Sequence, residues 1–136
     1  MDFVKFSLSG FDEFLVYAGL AVAFIYVYMM AYLKITPYDE LKLIKDGNIA
    51  AAISLSGSVL GFTFPLAAAI FQAAHPWDMM LWALIAAIVQ LLVYVAVRYT
   101  LINVTRRIPE GQVATGIVHG TIALSAGILN AACMTY

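Results

Sequence analysis

An uncharged run of 20 residues, Phe14 to Leu33, is the feature that most limits what this chain can become. Coiled as an α-helix at roughly 1.5 Å per residue, it spans the roughly 30 Å of a bilayer's hydrocarbon core. Three more stretches of this kind follow: Asn48 to about Ala74, Met79 to Val97, and Gln112 to about Met134, none holding an Asp, Glu, Lys or Arg. In hydrocarbon every backbone N–H and C=O must be satisfied within the protein, and uninterrupted apolar runs of this length do that as helices. The expected fold is therefore all-α, an integral membrane bundle of four helices. Composition agrees: 64% of the residues are hydrophobic and 11% charged, against roughly 45–50% and 25% in soluble domains. The formal net charge of −1 also argues against a nucleic-acid binder, which would need a cationic surface.

The connections set the topology. His75-Pro76-Trp77-Asp78 leaves room only for a tight antiparallel turn between the second and third runs. Six of the seven Lys and Arg residues (Lys34, Lys42, Lys45, Arg98, Arg106 and Arg107) fall in or beside the other two connections, with Lys5 alone on the opposite side. The positive-inside rule then makes both connectors cytoplasmic and puts both termini and the His75 turn outside. Trp77, Trp82 and Tyr136 mark the outer interface, and Tyr32, Tyr38 and Tyr99 the inner one. Residues 1–13 carry three acids and one base, the reverse of a secretory leader's basic start, and are expected to stay as an external segment.

The chain also resembles itself. Ile44-Lys45-Asp46-Gly47-Asn48-Ile49-Ala50 is echoed 64 residues later by Ile108-Pro109-Glu110-Gly111-Gln112-Val113-Ala114, and the same offset pairs Lys34 with Arg98 and Thr36 with Thr100. Two copies of one hairpin would produce this. The first would occupy 14–74, with helices 14–33 and 48–74 and a connector over 34–47. The second would occupy 75–136, with helices 79–97 and 112–134 and a connector over 98–111. Both would run in the same direction, as parallel repeats about an axis along the membrane normal. Within the first connector, Thr36-Pro37-Tyr38-Asp39 reads as a helix start with Thr36 as N-cap, and Gly47 reads as its stop. That short helix would turn Tyr38, Leu41 and Ile44 to an apolar side, lying on the membrane surface or serving as a plain connector. The third helix is expected to extend past Arg98 toward Thr105.

Helices in lipid associate through small residues that let backbones approach. The second run places Ser54, Ser58, Gly61 and Pro65 on one stripe and holds Gly57-x-x-x-Gly61. The fourth holds Gly116-x-x-x-Gly120, continued by Gly127. These two helices are expected to be the inner pair, with a kink at Pro65 that frees the carbonyl near Gly61.

Polar side chains inside a span face protein or water. Gln90, Tyr94 and Arg98 line one side of the third helix, and His119 and Asn130 one side of the fourth. Two readings follow. In one, His119 titrates on a proton or ion path lined by Gln90, Tyr94 and Asn130, with Arg98 as its charge. In the other, Gln90 and His119 hydrogen-bond across the helices and Arg98 reaches the headgroups. Enzyme chemistry has little support: there is no phosphate loop, nucleophile elbow or CxxC pair, no metal-ligand spacing, and no sign of a cofactor. Cys133 is the single cysteine, so no internal disulfide can form.

Several of these stretches resemble the YjfL-like family of small bacterial inner-membrane proteins, catalogued as a domain of unknown function. They are Lys34-Ile35-Thr36-Pro37 with Glu40, Leu43-Ile44-Lys45 and Asn48, then Ala50-Ala51, Ser56-Gly57 and Leu60-Gly61. Val89-Gln90-Leu91-Leu92-Val93 and Asn130-Ala131-Ala132-Cys133-Met134-Thr135 complete the set. The resemblance implies a bacterial inner-membrane location, four helices in two hairpin copies, and, through relatives encoded beside a membrane-maintenance protein, envelope upkeep. It brings no reaction. The expected function is a non-enzymatic scaffold in the lipid bilayer, forming homo-oligomers and engaging a membrane-associated protein through its cytoplasmic connectors. The alternative is a small channel or proton-coupled carrier.

Overall fold

The computed structural model describes residues 2–100 and 104–134. Among them every regular element is helical: α1 (Asp2–Ser7), α2 (Phe11–Ile35), α3 (Glu40–Lys45), α4 (Ile49–Gln72), α5 (Pro76–Thr100), α6 (Val104–Arg107) and α7 (Val113–Cys133). Four helices are long and apolar enough to cross a membrane. They are α4, α5, α7 and the helix that ends at Ile35, while α1 is fully exposed. Tyr136 and the proposed extension of the third helix across 101–103 lie outside the described residues.

The boundaries follow local chemistry. Asn48 is the N-cap of α4, its Oδ1 accepting from the Ala51 amide at 3.0 Å. Gly47 and Gly111 take φ of +89° and +78° immediately before Asn48 and Gln112, a left-handed turn that glycine makes without steric cost. The start of α3 differs from the expected one. Asp39 is its N-cap, accepting from the Lys42 amide, while Thr36 closes α2, its hydroxyl donating to the Tyr32 carbonyl at 2.8 Å. A threonine one turn past Tyr32 can bond back to that carbonyl, and this local partner removes it from the capping role. The helix therefore starts three residues late, and the face it buries is Glu40, Leu43 and Ile44; Leu41 points out.

The most extensive packing is between α4 and α7. A Cβ added to Gly116 would strike Ala50, one on Gly57 would strike Gly120, and one on Gly61 or Gly127 would strike Ala123 or Gly61 respectively. Those contacts advance along both helices together, so the two run parallel, backbone against backbone. The carbonyl that meets Gly127 belongs to Gly61, the one that Pro65 leaves without its i+4 donor. α5 seats against both helices, and α2 packs on α4 and α5.

Two apolar clusters divide the interior. One fills the half near the His75 turn: Tyr28, Phe62, Leu66, Ala69, Met79, Ala83, Ala86 and Met134. The other joins Ala50, Ala51, Val97 and Ile108 to Leu43 and Ile44 at the connector end, where the Asn48 side chain also donates to the Ile108 carbonyl at 2.9 Å.

Candidate functional site

From the first cluster toward the connectors, and flanked by the second, runs a set of buried polar side chains drawn from all four long helices. α2 contributes Tyr32 and, at its end, Thr36. α4 contributes Ser54 and Ser58, α5 Gln90, Tyr94 and Arg98, and α7 Thr115 and His119. Each repeats at about one or two turns on its own helix, so helical periodicity alone brings the groups to one interior line.

Two hydrogen-bonded chains run through the set. Tyr32 Oη meets Ser54 Oγ at 3.2 Å, and Ser54 Oγ meets His119 Nδ1 at 2.6 Å. Because hydroxyls both donate and accept, this chain can be polarised in either direction. Thr36 Oγ1, already donating to the Tyr32 carbonyl, accepts from the Tyr94 hydroxyl at 2.6 Å. Tyr94 knits the chains together: its ring centroid is 4.4 Å from that of Tyr32 and 5.1 Å from that of His119, edge to face.

Arg98 closes the line toward the connectors. Its Cζ sits 4.5 Å from the Tyr94 ring centroid and 5.5 Å from that of Tyr38, inside the range where an aromatic face attracts a cation. One amino group donates to Thr105 Oγ1 at 2.8 Å. Its Nε and the other amino group are buried without a hydrogen bond of ordinary length, with the Tyr38 hydroxyl close by.

Facing it is a group that spacing did not single out. Glu40 is 1% exposed, and its carboxylate has the Tyr32 hydroxyl nearby but no hydrogen bond of ordinary length. Arg98 is near enough to act on it electrostatically but forms no ion pair within 4.0 Å. Burial pushes the Glu40 carboxyl up from 4.5 to about 7, against the pull of Arg98 and of the nearby Tyr32 hydroxyl. Tyr38 is pushed up to about 12, by burial first and then by the charge of Glu40.

Gln90, Tyr94, Arg98 and His119 thus come together, but not in the expected pairing. Gln90 Nε2 donates to the Ala123 carbonyl at 3.2 Å, and His119 bonds Ser54 instead. Gln90 lies one turn deeper than His119 and reaches the backbone of α7 where Gly61 keeps that surface open. Asn130 is not part of the cluster; eleven residues beyond His119 on α7, it lies roughly 16 Å away along the helix. Of the expected packing residues, Ser54 belongs to the hydrogen-bonded chain, and Ser58 is buried one turn further along α4, near the Tyr32 hydroxyl. Gly57, Gly61, Gly116, Gly120 and Gly127 line the α4–α7 contact, with Pro65 buried inside α4. Helical spacing from Tyr28, Tyr32 and Thr36 could not have found Glu40, because residues 36–39 between α2 and α3 are not helical. Among the described residues no group of three His, Cys, Asp or Glu could hold a metal ion.

The family described as Domain of Unknown Function (DUF350) matches residues 6–134. The chain is 40% identical over 129 residues to the UPF0719 inner membrane protein YjfL of Escherichia coli (strain K12), covering 95% of this chain and 98% of that protein. The same values hold for its counterpart in Escherichia coli O157:H7. No solved structure matches the chain.

Proposed function

The chain belongs to the DUF350 family, and from that premise we propose that it is a multi-pass inner-membrane protein that moves an ion or small polar solute through its polar cluster. The location rests on its relatives in Escherichia coli and on its four apolar helices. One observation carries the transport reading: a buried arginine and a line of buried hydroxyl, amide and imidazole groups drawn from the four long helices. Charges inside a span cost several kcal/mol and are usually tied to pathways. A line of groups this deeply buried fits the occluded state of a carrier better than an open pore. The reading is non-enzymatic.

Orientation follows the charge bias, with the connectors cytoplasmic and the termini periplasmic. The two-hairpin repeat draws support from the paired left-handed glycines Gly47 and Gly111 and from the parallel contact of α4 with α7. The test is ion and proton flux in proteoliposomes over a pH series, wild type beside His119→Ala and Gln90→Leu. Altered flux at equal reconstitution is expected; tight vesicles holding folded protein would overturn the transport reading.

A scaffold is the second reading, favoured by the unbroken apolar cluster around Phe62 and Leu66. It makes the polar line an internal fastening. It also predicts self-association detectable by crosslinking and capture of a membrane-associated protein by the Pro37 to Asp46 segment. Monomers alone and an empty pull-down would end it.

A further inference from the structure

Glu40 is the one acid in the described residues that is enclosed near a cation without forming an ion pair with it. Its surroundings can be read element by element. α2 presents Tyr32, and the turn before α3 presents Tyr38. α5 presents Arg98, with Tyr94 behind it, and α7 presents His119 across the Tyr94 ring. α4 offers only the hydroxyls of Ser54 and Ser58. Asp39, Lys42 and Lys45 are exposed, as are Arg106, Arg107 and Glu110 of the second connector.

The Glu40 carboxylate and the Arg98 guanidinium are buried together without a direct ion pair, with the Tyr32 hydroxyl near the acid and the Tyr38 hydroxyl near the base. A charged pair held just beyond contact is the arrangement that a bridging water completes. The same surroundings select among ions. A metal cation needs several oxygen ligands, and here it would find a single carboxylate beside a guanidinium. An anion would find the guanidinium but also the carboxylate. A proton needs one acceptor and no coordination shell.

We propose that Glu40 is the proton-binding group of this site, with Arg98 as its water-bridged counter-charge, so that the ion handled by the polar cluster is a proton. The step is a simple transfer. A proton from connector-side water bonds to one Glu40 oxygen, the carboxylate becomes a neutral acid, and the Glu40–Arg98 pair passes from zero net charge to +1. The carboxyl's elevation to about 7 puts that change in the range a cell experiences. In assigning the ion, the proposal rests on the transport reading; the binding of the proton at Glu40 stands independently of it.

Infrared spectroscopy of the full chain in lipid vesicles tests it through the carboxylic acid C=O stretch. Wild type should show a protonated-acid band at pH 5 that vanishes with a midpoint near 7. In glutamate-13C-labelled protein that band should shift to lower frequency. It should survive Glu13→Gln/Glu110→Gln, a double substitution at two exposed positions, and be absent from Glu40→Gln. Arg98→Gln should move the midpoint to higher pH. A band that titrates in the ordinary carboxylate range, or that is lost with Glu13 and Glu110, would overturn the proposal. Since the labelled wild type and the double variant already identify the glutamate, the result does not depend on Glu40→Gln folding. Flux measured on the same vesicles separates the two readings. A titrating Glu40 in vesicles that stay tight retains proton binding and ends transport. Flux with Glu40 titrating normally retains transport and ends proton binding.

Discussion

Glu40 and Glu110 are the glutamates of the two connectors, at the same end of one bundle, and they live in opposite electrostatic worlds. Glu110 is half exposed and reaches back one turn to Arg106 at 3.5 Å, an ordinary surface pair that water screens. Glu40 is sealed beneath its own helix, near an arginine it does not touch. The difference lies in which face of a short helix packs inward. α3 buries Glu40 with Leu43 and Ile44, and the acid is carried inside by its apolar neighbours. Partner identity, one carboxylate and one arginine in each case, says little; access to water decides what the charge does.

Reversing the charge should separate the two positions most. Glu40→Lys would set a second cation near Arg98 and cost about 3–5 kcal/mol or more, whereas Glu110→Lys should cost no more than about 1 kcal/mol. Unfolding in mixed micelles or thermal stability in detergent would measure both. Equal losses would mean that Glu40 is as solvated as its counterpart.

Next in size is the pH dependence. With its carboxyl raised from 4.5 to about 7, the folded protein binds more protons than the unfolded chain between those values. Stability should therefore fall as pH rises from 4.5 to about 7 and level off above, by up to roughly 3 kcal/mol in total. Glu40→Gln, fixed in the neutral form, should flatten the profile, matching wild type at low pH and exceeding it above neutrality. Glu110→Gln should leave the slope intact.

A smaller effect is expected within the polar line. Ser54→Ala strips a partner from both Tyr32 and His119 and should cost about 1–3 kcal/mol. Smallest of all, Glu110→Gln should change stability by no more than about 0.5 kcal/mol and lose even that in high salt. A larger loss would show that the exposed pair supports the second connector after all.

The spans were legible because 20 apolar residues in a row admit one solution in a bilayer. The close approach of α4 and α7 could be read from their glycines for a related reason: few other residues let backbones touch. The pairings inside the polar line were harder. Counting along the helices sets Gln90 and His119 at similar depth on inward stripes, but they differ by a turn, and which partner each finds depends on offsets that periodicity does not fix. Glu40 escaped because a stretch such as Asp39-Glu40-Leu41-Lys42 looks like a solvated edge. Thr36 ends α2 and bonds back to Tyr32, Asp39 caps α3 in its place, and the side of that short helix turned inward carries the acid.

The glycine contacts between α4 and α7 also limit how this protein can move. Where Gly57 meets Gly120 and Gly127 meets the Gly61 carbonyl, no methyl group has room. Sliding one helix past the other by a single residue would drive a neighbouring side chain into backbone. The two behave as one stiff keel. Any opening of the site must come from the parts laid against it: the packing of α2 and α5, and the small helix that holds Glu40 down.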